Sequence, residues 1–189
     1  PIEDLMEAYK AGQRIFGENK VQEIVNKYPQ MPLDTKWHMI GHLQRNKVKY
    51  LAPFIDLIHG IDSLKLLREI NKQAIKHDRI IKGLIQIKIS NEITKFGMTA
   101  DEAQEMFCSK EFKSLNNVNI IGVMGMASFT TNESQIRKEF LNLKLIFDSY
   151  KEFNPSMEVI SMGMSGDYNL AIECGSNMIR IGSSIFGSR

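Results

Sequence analysis

The residues best suited to chemistry gather near the C-terminus, in "SMGMSGDYNLAIECGSNMIRIGSSIFGSR", from Ser161 to Arg189. Six serines and five glycines surround two short apolar runs there. Serine and glycine at strand ends either make ordinary turns or present N–H groups and hydroxyls to an anion such as phosphate. Ser165 stands just before a helical pattern. That position suits a plain N-cap, or an anion held jointly by the hydroxyl and the first free amides. Gly182 and Ser183 follow the last apolar run and can supply amides from the other side. Each alone is a turn residue; together, at neighbouring strand ends, they point to a phosphate site. Arg180 alternates with Ile179 and Ile181 and so faces away from both. Such an arginine either meets a ligand inside the fold, where an unpaired charge is costly, or forms a salt bridge on the outer layer.

The elements that must carry these residues alternate along the whole chain. "PIEDLMEAYKAGQ" reads as a helix, with Glu3 and Asp4 at its positive end and Gly12 closing it. "RIFGEN", "WHMIGH", "IDLIHGI", "GLIQIKIS", "VNIIGVMGMAS", "EVISMGM" and "NMIRIGSSIFG" read as strands. Between them "KVQEIVNKY", "LQRNKVKYLA", "SLKLLREINKQAIKH", "TADEAQEMFCSKEF", "ESQIRKEFLNLKLIFDSYKEF" and "GDYNLAIEC" read as helices, with Ser63 as an N-cap. Strands alternating with helices imply parallel pairing. No GxGxxG follows the first strand, and the strands are short and evenly spaced. Both features favour a (β/α)8 TIM barrel over an open doubly wound sheet.

Seven strands do not close an eight-stranded barrel, and the pattern opens inside a helix. The expectation is a single domain over residues 1–189 that lacks the barrel's first strand, shorter than the ~250 residues typical of the fold. Two open sheet edges then predict poor stability or association, as a monomer or weak homodimer. Function in such barrels collects at the C-terminal ends of strands. Those ends read Gly17-Glu18-Asn19, Ile40-Gly41-His42, Ser90-Asn91, Ala127-Ser128, Met164-Ser165 and Arg180 to Ser183. The rim is polar and glycine-bearing, with one arginine and no acidic pair.

Composition narrows the partners. The 24 basic and 22 acidic residues leave a net charge of +2, which gives no reason to expect nucleic acid or a membrane surface. The basic run "HLQRNKVK" reads as a solvated helix face. No apolar run approaches the ~20 residues of a membrane helix, and no signal peptide is visible. Cys108 and Cys174 stand far apart, which fits a reducing cytoplasm better than a disulfide framework. His38 and His42 have no acidic partner that would complete a metal cage, so no metal site is expected. Met124, Met126, Met162 and Met164 read as core packing. Glu18 is the one obvious rim carboxylate, suited to loop bracing.

Four stretches in order, "FGENKVQE", "WHMIGHLQRNKVK", "IKISNEITKFG" and "SMGMSGDYNLAIECGSNMIRIGSSIFG", closely resemble the pyridoxal 5′-phosphate (PLP) homeostasis protein family. The resemblance covers essentially the whole chain. It implies a barrel of the alanine racemase N-terminal type that binds PLP at its strand ends. By that likeness Arg180 faces the pyridine nitrogen, keeps it unprotonated and weakens the ring as an electron sink. Ser165, Gly182 and Ser183 match positions around the phosphate, Ser161, Met164 and Ser176 lie nearby, and Asn19 and Ile40 match positions near the ring. The family's Schiff-base lysine corresponds to a position upstream of Pro1, so no catalytic residue is assigned within this sequence. Lys20 stands where the family usually has tyrosine; it reads as a solvent-facing rim residue, with substitution for the missing amine as the other reading.

The resemblance implies a carrier or buffer in intracellular vitamin B6 and amino-acid homeostasis, in transient contact with PLP-requiring apoenzymes and without its own metabolic reaction. The alternative is a PLP-dependent amino-acid racemase. Racemisation needs a base on each face of the α-carbon, and alanine racemase draws its second base from another domain that this sequence does not contain. A third reading, an enzyme acting on a phosphorylated metabolite, would need a rim acid or base beyond Glu18.

Overall fold

The computed structural model describes residues 1–90 and 96–187. The expected strand end at Asn91 and the terminal Arg189 lie outside the described residues. Local sequence sets most boundaries. Helix α1 (Ile2–Lys10) carries Glu3 and Asp4 in its first turn and Lys10 in its last, complementing the helix dipole. Gly12, at φ +107°, then turns the chain into β1 (Ile15–Glu18). Helix α2 (Val21–Lys27) leads to β2 (Lys36–Met39).

The expected helix "LQRNKVKYLA" shrinks to a 3-10 turn, Arg45–Lys47, and the single turn α3 (Val48–Leu51). Gln44 is extended and Pro53 follows closely, which leaves room for little more. After β3 (Leu57–Ile61), the Ser63 hydroxyl accepts the Leu66 N–H at 3.3 Å and starts α4 (Leu64–Lys76). Strand β4 (Ile81–Gln86) follows, then α5 (Ala100–Cys108), opened by a capping box between Thr99 and Glu102. The single helix expected over "TADEAQEMFCSKEF" is split. Ser109 leaves helical geometry, and its hydroxyl caps α6 (Lys110–Lys113) through the Phe112 N–H at 3.1 Å. Then come β5 (Val118–Met124), α7 (Glu133–Phe153), β6 (Val159–Met164), α8 (Tyr168–Glu173) and β7 (Met178–Arg180). The last strand stops at Arg180 instead of running on to Gly187, because Gly182 opens a further turn, α9 (Ser183–Phe186).

Seven strands pair in chain order, β1 to β7, all parallel. They form a nearly closed barrel wrapped by helices; among the described residues no ladder joins β7 to β1. The larger core lies between strands and helices and includes Trp37, Ile58, Leu67, Ile85, Phe140 and Leu143. A smaller cluster of Leu57, Leu84, Ile121, Met124 and Val159, with Met178 packed against it, occupies the other face of the strands, the barrel interior. Strand alternation puts His59, Ser161 and Arg180 on that same inward face, each two residues beyond Leu57, Val159 and Met178.

Strands β6 and β7 fall out of step between Ser161–Met178 and Met164–Arg180. The extra residue is accommodated at Gly163, whose φ of +97° suits glycine, and a Cβ there would lie 2.7 Å from the Ala171 Cβ. This bulge aligns Met164 with Arg180 at the barrel mouth. Gly163→Ala is expected to lose about 1–3 kcal/mol of stability by urea denaturation. An unchanged midpoint would mean that the bulge does not need glycine.

Candidate functional site

Arg180 ends β7 and is half-buried. Its Nη1 donates to Ser161 Oγ at 2.6 Å and its Nη2 to the Gly125 carbonyl at 3.1 Å. One guanidinium therefore ties together β7, β6 and the chain just after β5. Burial pushes its pKa down to about 10, while the Asp167 charge acts in the opposite direction. It is cationic at neutral pH, at the mouth of the barrel.

Beside it, the Ser165 hydroxyl oxygen accepts the N–H of Gly182 at 3.2 Å and the N–H of Ser184 at 3.4 Å. Two amides from one turn thus converge on a single oxygen atom. Of its two readings from sequence, the N-cap fails: α8 begins after Asp167, whose Oδ1 accepts the Met164 N–H at 2.6 Å. The expected amide donors Gly182 and Ser183 lie in the exposed turn next to this point. Met164, expected in the core, is 39% exposed at the mouth. Ile40 and Asn19 follow β2 and β1, with Ile40 half-buried and Asn19 exposed. A Cβ on Gly41 would stand 2.3 Å from the Asn19 carbonyl oxygen, so only glycine lets those two strand ends approach so closely.

Two expected residues lie elsewhere. Ser176 precedes β7, at the far end of the strand from Arg180, and its hydroxyl donates to backbone carbonyls, at 2.7 Å to Met162 and 3.1 Å to Met178. Ser161 is fully buried and accepts from Arg180, whereas the Gly182 turn is exposed. Lys20 occupies the exposed N-cap position of α2. Glu18 is buried and pairs with Lys27 Nζ, a bracing contact. His42 Nδ1 lies 3.3 Å from Asp62 Oδ2, and its ring stacks on Phe96.

Behind Arg180 runs a string that sequence reading missed. His59 Nδ1 lies 3.0 Å from Ser161 Oγ, and His59 Nε2 lies 3.1 Å from His38 Nδ1. His38 Nε2 then faces Asp56 Oδ2 at 3.5 Å, before the N-terminal end of β3. The clue lay in "IDLIHGI", where strand alternation sets His59 on the side of Leu57. Burial holds the His59 pKa well below the usual histidine range, and the charges of His38 and Arg180 push the same way. The hydrogen bond from His38 holds the Asp56 carboxyl below the usual carboxylate range, against the upward pull of burial.

His59 is neutral in the fold and free to charge on unfolding, so its contribution to stability is complete above about pH 6.5 and is lost as pH falls below that value. Stability is expected to drop there by up to about 1.4 kcal/mol per pH unit. His59→Gln should flatten that slope in denaturant titrations at a series of pH values.

The alanine racemase, N-terminal domain family matches residues 2–189. The pyridoxal phosphate homeostasis protein of Aquifex aeolicus is 38% identical over all of this chain and 83% of its own length. PipY of Synechococcus elongatus, solved without PLP, superposes with a TM-score of 0.92 at 31% identity, covering 99% of this chain and 88% of that one. The same protein with PLP bound gives a TM-score of 0.88 at 30% identity and the same coverage. Alanine racemase of Clostridium difficile, 15% identical, shares the fold at a TM-score of 0.80 over all of this chain and 48% of its own. The chain is therefore a member of the pyridoxal phosphate homeostasis protein family, built on the barrel of the alanine racemase N-terminal domain.

Proposed function

We propose that this chain is a single PLP-binding domain that acts as a cofactor carrier or buffer in intracellular vitamin B6 and amino-acid homeostasis. The observation that carries the reading is the pair of Gly182 and Ser184 amides aimed at one oxygen, beside the cationic Arg180 at the next strand end. The donor set fits the cofactor's two ends. A phosphate oxygen is a stronger acceptor than the Ser165 hydroxyl that now receives those amides. Ser165 and Ser183 can add hydroxyl donors there. Arg180 can donate to a pyridine nitrogen and, being cationic, keeps that nitrogen unprotonated. In this reading Asn19, Ile40 and Met164, at the same strand ends, flank the ring. When bound, PLP supplies an aldehyde able to condense with an amine, and in this reading that aldehyde is stored and handed to cytoplasmic apoenzymes.

The relatives' naming as homeostasis proteins and the PLP-bound PipY support this reading. Its first test uses the protein expressed from its whole gene, loaded with PLP, reduced with borohydride and mapped by peptide mass spectrometry. The expected outcome is one modified lysine other than Lys20. Pyridoxal, which lacks the phosphate, should bind at least about tenfold more weakly. Scattered surface adducts, or equal affinity for pyridoxal and PLP, would overturn the site.

A second test incubates the loaded protein with L- and D-amino acids and follows their optical activity. No turnover is expected. Steady interconversion would move the protein to the racemases.

A further inference from the structure

The string from Asp56 to Arg180 has only one neutral arrangement in which every polar atom is satisfied. Arginine can only donate, so Ser161 Oγ accepts from Arg180 Nη1. With His59 and His38 both neutral and the Asp56 carboxylate as terminal acceptor, the remaining protons all point one way. The Ser161 hydroxyl donates to His59 Nδ1, His59 Nε2–H donates to His38 Nδ1, and His38 Nε2–H faces Asp56. The opposite order would leave a bare His38 Nε2 lone pair facing the Asp56 carboxylate. That arrangement becomes favourable only when His38 carries a second proton.

We propose that Asp56, His38, His59 and Ser161 form a directional hydrogen-bond wire through the barrel interior, which positions Arg180 at the mouth and reverses as a unit when the string takes up one proton. The protons balance. The Ser161 hydroxyl proton passes to His59 Nδ1, the His59 Nε2 proton passes to His38 Nδ1, and a proton from solvent replaces the one on Ser161. His38 ends as a cation against Asp56, and His59 remains neutral with its tautomer inverted. The His59 ring keeps no extra charge, in line with its buried setting and the nearby Arg180 cation. Lys36 and Lys82 are the other charges acting on the Asp56 end, and both favour its carboxylate form.

In the reversed state Ser161 still accepts from Arg180, but its own proton must find a new acceptor on the mouth side. His38, His59 and Ser161 are thus positioning residues for Arg180. The wire is a property of the protein alone; its effect on a bound pyridine ring rests on the PLP reading above.

The test is a pH titration of the ligand-free chain with 15N-labelled histidine, read from two-bond nitrogen–carbon correlations that distinguish imidazole tautomers. Near neutral pH, His59 and His38 should both carry their proton on Nε2. As pH is lowered, the string should take up a single proton in one transition, in which both His38 nitrogens carry protons and His59 switches to Nδ1–H. Asp56→Asn, at a half-exposed site, removes the carboxylate that stabilises the His38 cation. It should lower the transition by at least about one pH unit. A His59 that is Nδ1–H at neutral pH, two histidines that titrate separately, or an unmoved transition in Asp56→Asn would each overturn the wire. Repeating the titration with PLP bound separates the two readings. Failure to bind PLP with the tautomer switch intact removes the cofactor site alone, and PLP binding without the switch removes the wire alone.

Discussion

A cation has to be held inside a barrel whose other inward residues include Leu57, Leu84, Val159 and Met178. Most of the site follows from that requirement. An arginine in such surroundings must find acceptors for its N–H groups or lose its charge. The fold supplies the Gly125 carbonyl where the chain leaves β5 and the Ser161 oxygen on β6. Ser161 then needs its own partner, which brings in His59, and His59 in turn requires His38. The carboxylate of Asp56 completes the sequence at the far end. A single charge at the mouth thus accounts for a row of polar residues that would otherwise be anomalous in a core.

Backbone geometry is arranged around the same constraint. The Gly163 bulge adds one residue to β6 against β7, which sets Met164 level with Arg180 and leaves Ser161 within reach of the guanidinium. Without it, Gly163 rather than Met164 would stand level with Arg180; Ser161, paired with Met178 below the bulge, shares the inward face with the guanidinium in either case. Gly41 acts on the opposite wall, where its missing side chain allows close approach to the Asn19 carbonyl. Both glycines serve close contacts between chain segments.

Much of this was legible in the sequence. Alternating apolar runs and helical stripes gave seven strands, their parallel order and the barrel. Alternation set Arg180 opposite Ile179 and Ile181 but left interior and outer layer equally open, and the Gly182–Ser183 turn was readable as a source of amides. Boundaries were harder. The run "NMIRIGSSIFG" looks like one strand because Ile181, Ile185 and Phe186 keep it apolar, yet the turn at Gly182 ends the ladder. Ser165 looked like a cap because helical propensity begins near it, whereas Asp167 competes successfully for that position. Ser176 was named from the family resemblance alone; it precedes the last strand and lies at the end opposite Arg180. The histidine string was illegible for a deeper reason. His38 and His59 lie on neighbouring paired strands, but Ser161 sits on β6, and only the curling of the sheet into a barrel brings it against His59.

The Ser165 hydroxyl, held by the Gly182 and Ser184 amides, has a consequence for the kinetics of any anion that binds there. The turn keeps its shape in the absence of a guest because a neutral oxygen of the chain already fills the acceptor position. In the phosphate reading proposed above, an incoming anionic oxygen would take the place of that hydroxyl, with little ordering on association and little unfolding of the turn on departure. On leaving, the guest is replaced at once by an internal understudy, and the two amides are never left bare. Such a seat favours rapid exchange over long residence.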